Sequence, residues 1–272
     1  MFSKKQPPQS PDARKRQAAK YRRMEEAIAR NVQDHGTFQT VVNEYGIFAV
    51  DMSHKHRPAM RHVMAGLQHE PDLVKFMCRR CGTGDVIQAG AYFGDFLPAL
   101  SAAAAPGAIV WTFEASPHNH ALAARTVALN GLDNVRLFAN ALSDAARTVS
   151  VVGEWEGRPM GGLSRVVEGN AKTIPDDAAT ASVEVQAVRL DDIVPADRVV
   201  SILQLDIEGY EPFALAGATR ILRDSRPVLI LEMGPRKALA AVRDIVPELG
   251  YAVVGRIYQN AVLACLPDGP GG

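Results

Sequence analysis

From Asp85 onward the sequence alternates short apolar runs with amphipathic stretches, and this alternation restricts the chain to a layered α/β domain built on a largely parallel sheet. Strands are expected near 85–89, 109–114, 135–140, 199–206, 228–232, 251–256 and 261–266, with helices at about 95–104, 118–130, 211–222 and 236–249. The link between the last two strands, 257–260, is far shorter than the roughly dozen residues a parallel crossover needs. Those strands are therefore expected to close the sheet as an antiparallel hairpin.

The upstream part differs in kind. Residues 1–80 hold 15 Lys and Arg against 8 Asp and Glu, so a local balance of +7 is cancelled by −7 over residues 81–272. Pro7, Pro8, Ser10 and Pro11 mark the first 11 residues as disordered, and a stretch rich in Arg, Lys, Ala and Glu then favours helix from Asp12 through at least Arg30. Ala18, Tyr21, Met24, Ile28 and Val32 recur at spacings of three and four, one narrow apolar stripe for docking. The organisation expected is a basic, mainly helical extension over 1–80 and a catalytic-type domain over 81–272. The net charge of zero argues against a chain built wholly to bind nucleic acid or membrane. Three cysteines cannot form a disulfide scaffold, no apolar run is long enough to span a bilayer, and no secretory signal opens the chain, so a cytoplasmic location is expected.

Three strand ends carry the chemistry. The first runs into Gln88-Ala89-Gly90-Ala91-Tyr92-Phe93-Gly94-Asp95, a small-residue turn before a helix, where a ligand can approach the backbone and meet unpaired N–H groups. The spacing is G-x-x-x-G, which is neither the dinucleotide fingerprint nor a P-loop. Glu114 ends the second strand about 20 residues further on, where a carboxylate can accept both hydroxyls of a ribose. The fourth strand ends in Leu205-Asp206-Ile207-Glu208-Gly209-Tyr210-Glu211-Pro212, and Glu232 closes the next. Glu211 and Pro212 suit a helix start, whereas Asp206, Glu208 and Glu232 gather at the sheet edge where doubly wound folds bind ligands.

The order G-A-x-x-G, F-E-A-S, A-L-S-D, V-R-L-D-D-I, L-D-I-E-G-Y-E and R-P-V-L-I-L-E, over roughly 85–232, resembles the FkbM family of S-adenosylmethionine-dependent methyltransferases. The resemblance implies the Rossmann-like, seven-stranded class I methyltransferase sheet with its terminal antiparallel hairpin. It also implies S-adenosylmethionine as cofactor and methyl transfer, often to a small-molecule or sugar hydroxyl. Carried over by residue, Gln88, Gly90, Ala91, Tyr92 and Gly94 would face the methionine part and Glu114 the ribose. Asn140, Ala141 and Leu142 would lie near the adenine, and Ala115 would join the cofactor site with Ser116 and Asn119 at its rim. Asp206 and Glu208 would stand near the sulfonium and the acceptor. The convergence of the acids on one edge further suggests that Asp206 or Glu208 takes a proton while Glu232 holds the acceptor. The sequence departs from the family pattern at three places: Gln88 and Tyr92 replace the acid and the Asn of Asp-Val-Gly-Ala-Asn, and Gln204 stands where Lys is usual.

Other readings follow from other residues. His54, His56, His62, His69, Cys78 and Cys81 lie within 28 residues, but they follow no established ligand spacing, so no metal site is expected. His118 and His120 read as the start of a helix. The replacements at Gln88, Tyr92 and Gln204 allow a non-catalytic cofactor-binding paralogue, and Glu114 would also serve an NAD-dependent oxidoreductase. The expected partners are a small-molecule or carbohydrate acceptor and a second copy docked through the N-terminal helices, without membrane or nucleic acid. Trp155, Arg158, Gly161, Gly162, Ser164 and Arg165 form a candidate substrate lid in the long interval 143–198.

Overall fold

The computed structural model describes residues 11–36, 38–152, 154–155, 158–159, 165–167 and 182–265. The disordered tip expected over residues 1–11 lies, except for Pro11, outside them. So do Gly161, Gly162 and Ser164 of the candidate lid. In chain order the elements begin with helix α1 (Pro11–Asn31), strands β1 (Val32–Asp34), β2 (Gln39–Asn43) and β3 (Gly46–Val50), a single 3₁₀ turn (Met52–His54), and helices α2 (Pro58–Met64) and α3 (Pro71–Arg80). Next come β4 (Asp85–Ala89), α4 (Leu97–Ala103), β5 (Val110–Phe113), α5 (Pro117–Asn130), β6 (Val135–Phe138), β7 (Ala141–Leu142) and β8 (Arg147–Val152). Short β9 (Glu154–Trp155), β10 (Arg158–Pro159) and β11 (Arg165–Val167) precede β12 (Ser182–Val188), α6 (Leu190–Ile193), β13 (Val200–Leu205), α7 (Glu211–Ala216) and α8 (Thr219–Ser225). The chain ends with β14 (Val228–Leu231), α9 (Pro235–Ile245), β15 (Tyr251–Ile257) and β16 (Asn260–Cys265).

The central sheet has seven strands in the order β15-β16-β14-β13-β4-β5-β6. Pairing is parallel from β14 to β6, while β16 is antiparallel to both β14 and β15, as the short final link required. Every residue of β4 is buried, which is why a central parallel strand reads as an apolar run and not as an alternation. One face packs on α6 to α9 through Leu190, Leu203, Leu215, Leu229, Val242 and Leu263. Leu73, Val74 and Met77 of α3 and Leu97 and Leu100 of α4 cover the other around Val86, Ile202 and Ile230.

The N-terminal segment contains a three-stranded antiparallel sheet, β1-β2-β3, which the helical reading of residues 1–80 did not include. Its Val41, Phe48 and Val50 pack with Ile28 of α1, with Met60 and Met64 of α2, and with Tyr92, Phe93 and Leu122. The stripe on α1 thus docks on its own chain through Met24 and Ile28, while Arg61 lies 4.9 Å from the exposed Tyr21 ring. The segment expected as one helix over 211–222 is two. Gly217 passes so close to Ser143 that a Cβ there would sit 2.0 Å from its carbonyl oxygen. Asp191 restarts the helix by accepting from the backbone N–H groups of Arg220 (2.8 Å) and Ile221 (3.1 Å), a cap supplied from a distant element. No described helix is long and apolar enough to cross a membrane.

Asp85 opens the central strand and ties to it the starts of its two neighbours, β5 and β13. It accepts from Ile109 N (2.8 Å), Trp111 Nε1 (2.8 Å) and Arg198 Nε (2.8 Å), with a second bond from Arg198 Nη2. Burial pushes its carboxyl up, yet Arg198 and the N–H donors outweigh burial and hold it below the usual carboxylate range. Asp85→Ala is expected to cost about 3 kcal/mol in urea denaturation, because it leaves buried donors unpaired. Arg198→Ala costs less, since Arg198 is about one-third exposed. The stabilisation is present at neutral pH and is lost as pH falls through the lowered value in the folded state.

Candidate functional site

Beyond the carboxyl ends of β4 and β13, where the connections leave the sheet in opposite directions, lies a cavity of about 320 Å³. Its floor is the turn after β4. Gly90 N and Ala91 N both donate to Phe113 O (3.0 and 3.1 Å), and Gly94 N donates to Ala91 O (2.7 Å), coiling the turn back on the sheet. Gly90 is irreplaceable here: its φ is +88°, and a Cβ would lie 2.0 Å from Asp206 O. Tyr92 holds φ +51°, a left-handed conformation uncommon for an aromatic residue.

The turn is held from the side by Glu114. Its Oε2 accepts from Tyr92 N (2.7 Å), and its Oε1 accepts from Ser116 N (2.9 Å) and Asn119 Nδ2 (3.5 Å). Complete burial nonetheless raises its carboxyl to about 7, the N–H donors only moderating the effect. Ser116 caps α5, accepting from Asn119 N at 3.5 Å.

Asp206, Glu208 and Glu232 converge on the opposite wall, one carboxylate oxygen of each lying within 4.8 Å of the others. Burial first, then Glu232 and Glu208, raise the Asp206 carboxyl well above the ordinary range. The loop carrying Asp206 and Glu208 is pinned by buried Glu211, whose Oε1 accepts from Ile207 N (3.1 Å) and Gly209 N (3.2 Å). Glu211 therefore does more than complement a helix dipole, because it fixes the left-handed pair Glu208 (φ +55°) and Gly209 (φ +96°).

Of the residues proposed from sequence, Gln88, Gly90, Tyr92, Asp206, Glu208 and Glu232 line this one cavity. Ala91 lies buried beneath it, and Gly94 turns the chain toward α4. Glu114, Ser116 and Asn119 form a second group connected to the first through Tyr92 N. Ala115 packs near Ala141, and Ala141 and Leu142 form β7 beside Ala187 and Val188. Asn140 donates from Nδ2 to Gln186 O at 3.0 Å.

The cavity also has walls that sequence reasoning missed. Arg57, Pro58, Ala59, His69 and Glu70 come from the N-terminal segment, and Asp95, Phe96, Gln204 and Gln259 from the sheet side. Asp95 directly follows the glycine turn, so position alone could have flagged it, whereas Gln204 stood out in the fourth-strand motif only as a departure and not as a cavity wall. Burial raises Asp95 to about 7, and burial followed by Glu232 raises Glu70 to about 7. Asp95 Oδ2 and Gln204 Oε1 are buried acceptors with no hydrogen-bond partner among the described residues. Gln204 lies directly beside Gln88 in the parallel register of β13 and β4, and Gln88 is fixed by Thr112 Oγ1 (2.7 Å) and Gly90 O (3.0 Å). The histidines and cysteines upstream do not form one cluster. Cys78 and Cys81 donate to the carbonyls of Ala99 (3.6 Å) and Met77 (3.3 Å), while His62 Nδ1 meets His69 Nδ1 at 3.0 Å.

The model of the methyltransferase FkbM domain matches residues 88–253. Similar solved structures include the methyltransferase FkbM from Methylobacillus flagellatus, at 13% identity and TM-score 0.44, covering 90% of this chain and 59% of that one. TYW2 from M. jannaschii in complex with AdoMet aligns at 12% identity and TM-score 0.47, covering 86% and 89%. A SAM-dependent methyltransferase from Agrobacterium tumefaciens aligns at 13% identity and TM-score 0.44, covering 85% and 70%. The chain thus spans 59% of the length of the M. flagellatus protein. No curated protein matches the chain in sequence. The matched residues make up more than half of the chain and include the glycine turn, Glu114 and the acidic edge, so the chain belongs to the FkbM family of S-adenosylmethionine-dependent methyltransferases.

Proposed function

We propose that the chain methylates a hydroxyl of a small molecule or sugar in the cavity between the glycine turn and the acidic edge. The observation that carries this reading is the convergence of Asp206, Glu208 and Glu232 on one wall of a cavity floored by Gly90. The residues present suit S-adenosylmethionine, which supplies an electrophilic methyl group on a sulfonium. The unpartnered acceptors Asp95 Oδ2 and Gln204 Oε1, amid four further carboxylates, favour a cationic ligand. Glu114 Oε2, with the single donor Tyr92 N, retains acceptor capacity that a ribose hydroxyl could use. Asn140, Ala141 and Leu142, with Ala115, Ser116 and Asn119, would then border the adenine.

In this arrangement the protein aligns the acceptor and removes its proton. Asp206, its carboxyl raised by burial and by its carboxylate neighbours, is the first candidate for the base by its place on the acidic wall, with Glu208 as the second on the same loop. Glu232 holds the acceptor from the adjacent strand end. Tyr92 and Phe96 line the cavity and reduce its access to water.

Asp206→Asn and Glu208→Gln are expected to keep cofactor binding by calorimetry while at least one loses about 10²–10⁴ in turnover on a competent acceptor. Both turning over at the wild-type rate would exclude the assignment. A second expectation concerns pH. Asp95 and Glu114 titrate near 7 in the folded protein, above their unfolded values, so the ligand-free fold holds extra protons and loses stability as pH rises from about 4 to about 7. Asp95→Asn should flatten that slope in urea titrations. A cationic ligand favours the ionised carboxylates, so binding below pH 7 should release protons, seen as buffer-dependent calorimetric enthalpies.

A further inference from the structure

We propose that Asp51, His54 and His118 bind one divalent transition-metal ion, Zn²⁺ being the one that suits them best. The three come from separate places: Asp51 follows β3, His54 lies in the 3₁₀ turn, and His118 in the first turn of α5. A carboxylate oxygen and one ring nitrogen from each histidine lie within 4.8 Å of one another. His118 Nε2 stands 2.9 Å from Asp51 Oδ2, a separation compatible with two ligands on adjacent positions of one ion.

Hydrogen bonds from neighbouring groups orient two of the three, as the partners of metal ligands commonly do. Asp51 Oδ1 accepts from Ser53 N (2.8 Å), which leaves Oδ2 directed at His118. His54 Nδ1 meets Tyr92 Oη at 3.0 Å, which sets the plane of the buried ring. His118 is exposed, giving an entry path and room for water to complete the coordination. Two imidazoles and one carboxylate with an open side are a donor set for Zn²⁺. An ion there would tie the N-terminal segment to α5 and, through Tyr92, brace the glycine turn. The proposal does not depend on the methyl-transfer reading.

The test uses the 272-residue chain without a histidine tag, stripped with chelator, dialysed and titrated with ZnCl₂ by calorimetry. CoCl₂ followed by visible absorption reports the ligand geometry. One equivalent of Zn²⁺ is expected to bind and to raise the melting temperature. His118→Ala removes an exposed ligand, and Asp51→Asn keeps the acceptor for Ser53 N but removes the charge. Each should weaken binding at least about 10-fold. His62→Ala and Cys78→Ser should retain wild-type affinity. Absence of saturable one-to-one binding, or unchanged affinity in both His118→Ala and Asp51→Asn, overturns the site. So does loss of affinity in either control variant. If His118→Ala loses its circular dichroism signature of folding, Asp51→Asn decides. Measuring S-adenosylmethionine binding on the stripped protein separates failure of this proposal from failure of the catalytic reading.

Discussion

The close approach of the turn after β4 to the end of β13 governs the site. Gly90 lies so near the Asp206 carbonyl that no side chain could be placed between them. That contact sets the distance from the glycine turn to the acidic wall. It also explains why backbone, and not side chains, forms the cavity floor. Glu114 and Glu211 secure the two sides of the contact in the same way. Each spends a buried carboxylate on backbone N–H groups, one holding the turn at Tyr92 and the other holding the loop at Ile207 and Gly209. A loop carrying left-handed residues at 208 and 209 would otherwise sample many conformations, and orienting a reacting proton requires one.

The three departures from the family pattern become intelligible as contacts. Gln88 and Gln204 are register partners on adjacent strands, so two neutral amides stand side by side where the family resemblance implies an acid and a lysine. The local charge is unchanged, whereas either exchange alone would have buried an unpaired ion. Tyr92 is a less expected choice, because its left-handed φ costs an aromatic residue on the order of 1 kcal/mol or more. Its compensation comes from above. The ring stands edge-on to Phe93 with centroids 4.9 Å apart, stacks near His54 at 5.8 Å, and carries its hydroxyl to His54 Nδ1. The substitution that makes the turn unusual is also what connects it to the N-terminal segment.

Much of the sheet was legible because parallel strands buried on both faces leave short apolar runs, and because the final link was too short for a crossover. The small sheet at β1 to β3 was not. Its strands are short and one-sided, and their partners include side chains from α5 and the glycine turn, which lie far away in sequence. The helix break at Gly217 escaped for the same reason, since both the close carbonyl and the cap from Asp191 come from other elements. At the site, strand-end acids announced themselves by position. Arg57 and Glu70 gave no sign, being ordinary polar residues until α2 and α3 bring them over the cavity, and His69 stood out only in the upstream histidine group.

The sequence by itself determined the class of sheet, the terminal hairpin, the glycine turn and the carboxylates at strand ends, because these depend on periodicity, link length and local backbone freedom. Tertiary structure alone decided how those carboxylates ionise and what roofs them. Solvent exclusion is a property of packing: the same Glu114 at a solvated strand end would be an ordinary acid, and here it is raised to about 7. Packing likewise turned a solvated-looking His118 and a turn-capping Asp51 into neighbours of the buried His54, a juxtaposition that no spacing along the chain encodes.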